Sequence, residues 1–158
     1  MKARDIMTAT PVCCSPADSV QEVALVMREH DCGCVPIVDP ATGVLVGVVT
    51  DRDLAVRGLA SGRGAHARVG ELMTELPSCC SEVDDVTVVE RVMAERQVRR
   101  VPVVDSDGCV VGIIAQADVA RAALSGGDIT EHDVATVVER VSRPARWRAS
   151  WSNYQPSL

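Results

Sequence analysis

Aromatic residues are almost absent from this chain of 158 residues. It contains no phenylalanine, and its two tryptophans and single tyrosine all lie within the last dozen positions. A core without large rings must be packed from aliphatic side chains, and β-branched ones suit sheet surfaces that pack against helices. Hydrophobic residues make up 47% of the sequence, which is enough apolar material for a folded body.

Long apolar runs are also missing. The longest, at 44–49, has the length of a strand and is too short to cross a bilayer. Residues 1–5 lead into no apolar segment typical of a secretion signal. The net charge is −6, which argues against nucleic-acid binding because that function requires a clustered basic surface. We therefore expect a cytoplasmic protein with neither a membrane nor a nucleic acid among its partners.

The sequence contains two copies of one unit. A shift of 66 places superimposes residues along the unit: Met7 on Met73, Pro11 on Pro77, Cys13 on Cys79, Val35 on Val101 and Asp39 on Asp105. After one residue is lost in a turn, a shift of 65 places matches Gly47 with Gly112 and Asp53 with Asp118. So many matches in order indicate a duplication.

Each unit is predicted to contain a strand, a helix, two strands and a helix. The helices are expected at 20–30, 51–59, 86–96 and 116–124, and the later strands at 35–38, 44–49, 101–104 and 110–114. Ser19 and Glu22 form a capping box before the first of these helices. The two small sheets should pack about an approximate two-fold axis, because neither can bury its apolar face alone.

This pattern predicts an α/β (α+β) fold made of two β-α-β-β-α repeats and a C-terminal helix. The first repeat occupies residues 1–60, a flexible polar linker 61–69, the second repeat 70–124, and a helix with a tail 125–158. In that last segment Thr130 is the expected N-cap, and Pro144 ends the helix. The tail carries all three aromatic residues, and its role cannot be deduced from the sequence.

Three motifs resemble the CBS-domain family: Asp5-Ile6-Met7-Thr8, the Val35-Pro36 strand and the segment Gly47–Asp53. The resemblance covers about residues 3 to 124 and occurs in tandem, as in a Bateman module. The layout is also similar to that of two-repeat bacterial proteins described as hypoxic response proteins. It implies a regulatory module with two nucleotide clefts, often assembled as a homodimer, and no catalysis. It leaves any effector protein unidentified.

The residues at the matching positions suit an adenine nucleotide. The strand at 44–49 ends where a helix begins, so Thr50 lies among backbone N–H groups that favour a phosphate. Asp53 can accept two hydrogen bonds from a ribose diol, while Val35 and Pro36 can flank a flat base. The predicted nucleotide-binding residues are Thr10, Val12, Cys13, Cys34, Val35, Pro36, Thr50, Arg52, Asp53, Ser78, Arg100, Val101, Pro102 and Asp118.

The ligand itself stays open among AMP, ADP, ATP, NAD and S-adenosylmethionine, and no obligatory cofactor is expected. Thr50 and Asp53 also fit a capping box that needs no ligand. The second unit has Ala115 in place of Thr50 yet keeps Asp118, which favours a ligand role for the acid. Since Ala115 supplies no hydroxyl, we expect the first cleft to bind more tightly, unless Arg100 serves the second.

Seven cysteines leave two other functions open. Their spacing matches no zinc signature, and adjacent cysteines on a strand point to opposite faces, so half-buried free thiols are the simplest interpretation. A redox or metal-responsive module remains an alternative, with Cys32 or Cys34 as the reactive thiol. A structural dimerisation scaffold is the other. No pattern of His, Ser and acidic residues indicates a catalytic or metal site.

Overall fold

The computed structural model describes residues 1–125 and 129–143. Its first half contains α1 (Ala3–Ile6), β1 (Thr8–Ala9), α2 (Val20–Glu29), β2 (Cys34–Val38), β3 (Leu45–Thr50) and α3 (Asp51–Asp53), which continues through a π-helical stretch (Leu54–Gly58) and a 3-10 turn (Leu59–Ser61). The second half contains a 3-10 turn (Val69–Glu71), β4 (Thr74–Glu75), β5 (Cys80–Ser81), α4 (Val86–Arg96), β6 (Arg100–Val104), β7 (Val110–Ala115), α5 (Gln116–Leu124) and α6 (Glu131–Val141). These elements form the predicted mixed α and β fold.

Helix starts follow the capping residues that the sequence supplies. The Ser19 hydroxyl accepts a hydrogen bond from the Glu22 backbone N–H (3.2 Å), and Glu22 accepts one from the Ser19 N–H (2.7 Å). Thr130 caps α6 in the same way through Asp133. The predicted helix end at Pro144 and the aromatic tail lie outside the described residues.

The two sheets exchange strands between the units. The three-stranded sheet has the order β2-β3-β4, and the four-stranded sheet has the order β1-β7-β6-β5. Thus β1 of the first unit pairs with β7, and β4 of the second unit pairs with β3. This strand exchange was not predicted, because strands of two residues carry no hydrophobic alternation that the sequence could show.

Hydrogen bonds related by the repeat confirm the approximate two-fold axis. The Leu45 N–H donates to the Gly108 carbonyl (3.0 Å), and the equivalent Val110 N–H donates to the Gly43 carbonyl (3.4 Å). Between these bonds, Val44 bridges to its own equivalent, Cys109. The axis therefore passes between the two hairpin turns.

Each core is completed by the other unit. Val69 and Leu72 are buried with Val23, Ile37 and Val49 in the first core. Members of the second core come from α1, α4, α5, α6 and the sheet; they include Ala3, Val89, Met93, Ile114, Val119 and Val137. Because α6 belongs only to the second core, the helices of the two units have different surroundings.

Two glycines allow the exchanged segments to approach the sheets. A Cβ on Gly47 would collide with the sulfur of Met73, and one on Gly112 would collide with the sulfur of Met7. Each methionine immediately precedes an exchanged strand, Met73 before β4 and Met7 before β1, and packs over a strand of the opposite unit. Glycine is required at both positions by this close approach.

Candidate functional site

The first predicted cleft is built along β2. On one side, Cys14 forms a parallel bridge with Ile37, which holds the preceding segment, residues 10–13, beside the strand. On the other side, Cys34 lies opposite Thr50 in the antiparallel pairing with β3. The structure therefore brings the predicted segment and the start of α3 to the two flanks of one strand, although they are about 40 residues apart in the sequence.

The side chains of β2 divide between the core and the cleft. Val35 and Ile37 are fully buried in the first core, so the prediction that the Val35 side chain flanks a base is wrong. Alternate residues of a strand point to opposite faces, which leaves Cys34 and Pro36 on the other face. Both are buried as well.

The same correction applies to the second unit. Val101 is fully buried in the second core, so its side chain cannot flank a base either. Pro102 is buried on the opposite face of β6, and Arg100 is exposed there. Arg100 is therefore the only one of these three predicted residues whose side chain reaches solvent.

Asp53 is held by its neighbours at the start of α3. Its Oδ2 accepts hydrogen bonds from the Thr50 N–H (2.9 Å) and the Thr50 hydroxyl (2.7 Å). Its Oδ1 lies 3.3 Å from Nε of Arg57. These contacts form a complete capping box, and 17% of the Asp53 side chain remains exposed. The Thr50 hydroxyl proton is thus directed at Asp53 and away from solvent.

Asp118 keeps the same arrangement without a hydroxyl. Its Oδ2 accepts a hydrogen bond from the Ala115 N–H (2.6 Å), and its Oδ1 pairs with the guanidinium of Arg121. The acid therefore caps α5 through the backbone alone. The sequence argument that Ala115 removes the capping reason for Asp118 does not hold, because the backbone N–H still needs an acceptor.

Arg100 extends from the second unit toward the first. Its Nη2 lies 3.4 Å from the point where a Cβ on Gly33 would stand, and a carboxylate oxygen of Asp51 lies 2.8 Å from the same point. Arg100 thus faces the start of α3 across the two-fold axis. In the equivalent position the first unit has Cys34, whose short side chain carries no guanidinium to extend in the opposite direction.

The other predicted residues lie in the segments beside the strands. Thr10 is exposed, with a left-handed φ of 49°, and its N–H donates to the Val111 carbonyl (3.0 Å). Val12 is 36% exposed. Cys13 and Ser78 are half-buried, and Arg52 is exposed. Leu76, the equivalent of Thr10, has a φ of 45°, so both segments turn in the same way.

Burial raises the pKa values of several thiols. Desolvation raises the pKa of Cys14 to about 11 and that of Cys80 to about 12. Desolvation also raises the pKa of Cys34 to about 11, although the positive charge of Arg100 opposes this shift. All seven cysteines are free. As predicted for adjacent cysteines on a strand, Cys14 and Cys80 are buried while Cys13 and Cys79 are more exposed.

Two residues near Asp53 were not predicted from the sequence. Arg57 binds it, and the spacing of four residues on a helix was a usable signal for that ion pair. Gly33 leaves room for Asp51 and Arg100, and no local pattern reveals this contact because it joins the two units. Within the described ranges, no group of three or more His, Cys, Asp or Glu side chains is placed to hold a metal ion. No helix of the described chain is long and apolar enough to cross a membrane.

Comparison with known proteins identifies the fold family. A family model described as the CBS domain matches residues 3–58 and again 69–125. Hypoxic response protein 1 of Mycobacterium tuberculosis is 36% identical over 143 residues, which cover 90% of this chain and 94% of that protein. The crystal structure of Hypoxic Response Protein I with two coordinated zinc ions has a TM-score of 0.70 and 38% identity, and the match covers 77% of this chain and 98% of that one.

Two further structures hold adenosine compounds. CBSX2 of Arabidopsis thaliana, solved in complex with AMP, has a TM-score of 0.67 and 32% identity, covering 78% of this chain and 96% of that one. The CBS domain pair of MJ0100, solved with 5'-methylthioadenosine and S-adenosyl-L-methionine, has a TM-score of 0.72 and 30% identity, covering 80% and 98%. The chain belongs to the CBS-domain family and is a tandem CBS pair.

Proposed function

We propose that this protein is a regulatory module that binds an adenosine-containing ligand in the clefts of its CBS pair and acts through binding without catalysing a reaction. The observation that most strongly supports this proposal is the arrangement around β2, where residues 10–13 and the start of α3 lie on either side of one strand. Of two CBS pairs at least 30% identical to this chain, one holds AMP and the other holds 5'-methylthioadenosine and S-adenosyl-L-methionine. Seven free thiols suit the reducing cytoplasm as its place of action.

The proposed contacts follow from which face of β2 points away from the first core. Pro36 and Cys34 lie on that face and are proposed to pack against the base, while the backbone of residues 10–13 is proposed to bind its polar edge. Thr10 and Leu76 both adopt a left-handed φ without being glycine, which is uncommon and often accompanies a binding site. Asp53, still partly exposed, is proposed to accept the ribose hydroxyls.

We propose that the first cleft binds phosphorylated ligands more tightly than the second. The support comes from Arg100, whose guanidinium lies beside Gly33 at the first cleft and can bind a phosphate through two hydrogen bonds. The Thr50 hydroxyl contributes less to this ranking than its chemistry suggests, because it already donates to Asp53. Replacement of Arg100 by alanine should therefore weaken AMP binding more than binding of uncharged adenosine.

Isothermal titration calorimetry with AMP, ADP, ATP, NAD and S-adenosylmethionine tests the function directly, with GMP as the control for the base. We expect saturable binding of at least one adenosine compound and none of GMP. An equal response to GMP, or no heat with all five compounds in folded protein, would reject the proposal. A purely structural scaffold would give that second result.

The raised pKa of Cys34, one of the two thiols predicted as reactive candidates, weakens the thiol alternative. A thiol must ionise to react or to ligate a metal, and burial opposes ionisation at Cys14, Cys34 and Cys80. A redox module should lose thiols to mild peroxide and change its unfolding temperature in parallel. We expect the buried thiols to remain titratable after such treatment and AMP binding to be unchanged.

We further propose a homodimer as the functional assembly, with an effector protein as its downstream partner. In the second unit α6 packs on α4 and α5, whereas the helices of the first unit expose Leu25 and Val56. Leu59 is exposed as well, as is its equivalent in the second unit, Leu124. A second copy of the chain would cover these apolar residues, and two-fold dimers are the commonest soluble assembly. Light scattering should give twice the chain mass, and Leu59→Glu should shift the protein toward monomer; a monomer of wild-type protein contradicts this proposal.

A further inference from the structure

Arg57 fills a specific position in the first unit. Its Nη1 donates to the Leu72 carbonyl (3.0 Å) and to the Thr74 hydroxyl (3.3 Å), while its Nε lies 3.3 Å from Asp53. One guanidinium thus joins the helix after α3 to the segment supplied by the second unit. The planar guanidinium thus has three oxygen partners, which are a carboxylate, a backbone carbonyl and a hydroxyl.

The second unit has the same surroundings without the arginine. Shifting by the repeat places Ala122 on Arg57, Asp118 on Asp53 and Ile6 on Leu72. These three residues line one pocket of about 250 Å³, together with Met1, Asp5, Arg121 and Ser125. The pocket therefore lies where Arg57 and its partners would stand if the two units were identical.

We infer that this pocket binds a small molecule bearing a guanidinium group, which takes the place that Arg57 fills in the first unit. The ligand's planar donors meet Asp118 at one end and the α1 segment, with Asp5 and Ile6, at the other. The site adjoins the predicted second nucleotide cleft through Asp118, and its other lining residues are not among the predicted nucleotide-binding residues. It accordingly goes beyond the function proposed above.

The size of the pocket suits a small ligand. Its volume lies just below the range of pockets that hold drug-sized ligands, and it leaves room for a guanidinium with a short substituent. Asp5 and Asp118 contribute negative charge, but Asp5 already accepts a hydrogen bond from the Lys2 N–H (2.8 Å), and Met1 and Arg121 line the same pocket. The preference for a guanidinium therefore follows from the position that Arg57 holds in the first unit and not from the net charge of the lining. The competing cation is Arg121, which pairs with Asp118 from the solvent side, because 70% of its side chain is exposed.

Replacement of Arg121 changes the affinity for a cation and for an anion in opposite directions. If the pocket takes a cation, removing Arg121 frees an oxygen of Asp118 and strengthens binding. If the pocket takes a phosphate, the same change removes the only arginine in its lining and weakens binding. The direction of the effect of Arg121→Ala therefore distinguishes the two ligand classes.

The first experiment is calorimetric titration of the full-length protein with ethylguanidinium at millimolar concentration, well below denaturing conditions. Ethylammonium serves as the control, since a compact ammonium cannot reproduce the planar fork. We expect saturable binding of ethylguanidinium only. Ala122→Arg should weaken it by about tenfold or more, the scale of losing a hydrogen bond to a charged group, and should raise the unfolding temperature. Ala122→Leu, which adds bulk without donors, should weaken binding without that increase.

The matched variant lies in the first unit. Arg57→Ala should open an equivalent pocket, and ethylguanidinium should then restore part of the unfolding temperature that the substitution removes. Absence of binding by the wild type, or binding unchanged in both Ala122 variants, overturns the inference. Weaker binding in Arg121→Ala also overturns it. AMP titrations of Ala122→Arg keep the two proposals apart, since the first cleft is remote from this change and should bind AMP as before.

Discussion

The two CBS units share one backbone plan but differ in where each obtains its arginines. At the helix after the third strand, the first unit uses its own Arg57, whereas the second has Ala122 and an outer ion pair from Arg121. Across the two-fold axis, Arg100 extends toward the first unit, and Cys34 provides nothing comparable in return. Duplication therefore preserved the fold, while substitution at a few positions made the two sites chemically different.

The helical layers differ as well. In the second unit α6 packs against α4 and α5, and its Arg140 carbonyl accepts a hydrogen bond from Gln97 (3.3 Å). Ala122 is consequently 6% exposed. In the first unit the equivalent position, Arg57, and its neighbour Val56 are exposed. One unit thus has an internal cover for its helices, and the other leaves the corresponding surface open to a partner.

The largest effect should come from breaking the exchange between the units. Leu72 belongs to the second unit in sequence but is 1% exposed within the first core. Leu72→Ala should lower the free energy of unfolding by about 2–5 kcal/mol, the usual range for a buried leucine. Urea unfolding followed by circular dichroism measures it. Leu76→Ala is the matched control, because Leu76 is 86% exposed, and two separate transitions in either variant would contradict a shared core.

Asp53 and Asp118 should differ in how much each contributes to nucleotide binding. Asp53→Ala should weaken adenine-nucleotide binding by about 1–3 kcal/mol, the scale of an unpaired polar group in a site, while the protein still folds. Asp118→Ala should have a smaller effect on AMP, since Arg100 faces the first cleft. Calorimetry on both folded variants measures the difference. Unchanged affinity in Asp53→Ala would show that the acid only caps α3.

A smaller effect should follow from exchanging the capping residues. Thr50→Ala should destabilise the protein by about 1 kcal/mol, and Ala115→Thr should stabilise it by a similar amount, because a hydroxyl at the N-cap accepts a backbone hydrogen bond. Thermal unfolding of both variants and of the double exchange measures this. If Ala115→Thr also strengthens nucleotide binding in the second cleft, the hydroxyl contributes to affinity. If only stability changes, the position of Arg100 determines which cleft binds the nucleotide more tightly.

The smallest effect near neutral pH concerns the buried thiols. Burial raises the pKa of Cys80 to about 12, whereas an unfolded thiol has an ordinary pKa of 9.0. Between these values the unfolded chain binds fewer protons, so stability falls as pH rises. Urea midpoints should be constant below pH 8 and decline above 9, and Cys80→Ala should reduce the decline. A flat profile in the wild type would contradict the assigned burial.

The sequence predicted the fold more fully than the site, for physical reasons. Helices such as Val86–Arg96 and Gln116–Leu124 carry a strong period and matched their predicted bounds. The exchanged strands β1 and β4 have two residues each, too few to show a pattern. At the site, Thr50 and Asp53 are three positions apart in the sequence, so their capping box could be predicted. The positions of Arg100 beside Gly33 and of Val35 in the core depend on packing between units, which no local motif records.

The exchange of segments has a consequence for how the two clefts communicate. Residues near the N-terminus complete the second core, and Val69 and Leu72 complete the first. Neither core can therefore form until both units have folded against each other. Local opening of one half must therefore disturb the other. A ligand bound to the native state lowers the population of all open states. We expect that AMP in the first cleft slows hydrogen exchange of amides in α4 and β7, with no contact between that ligand and those two elements.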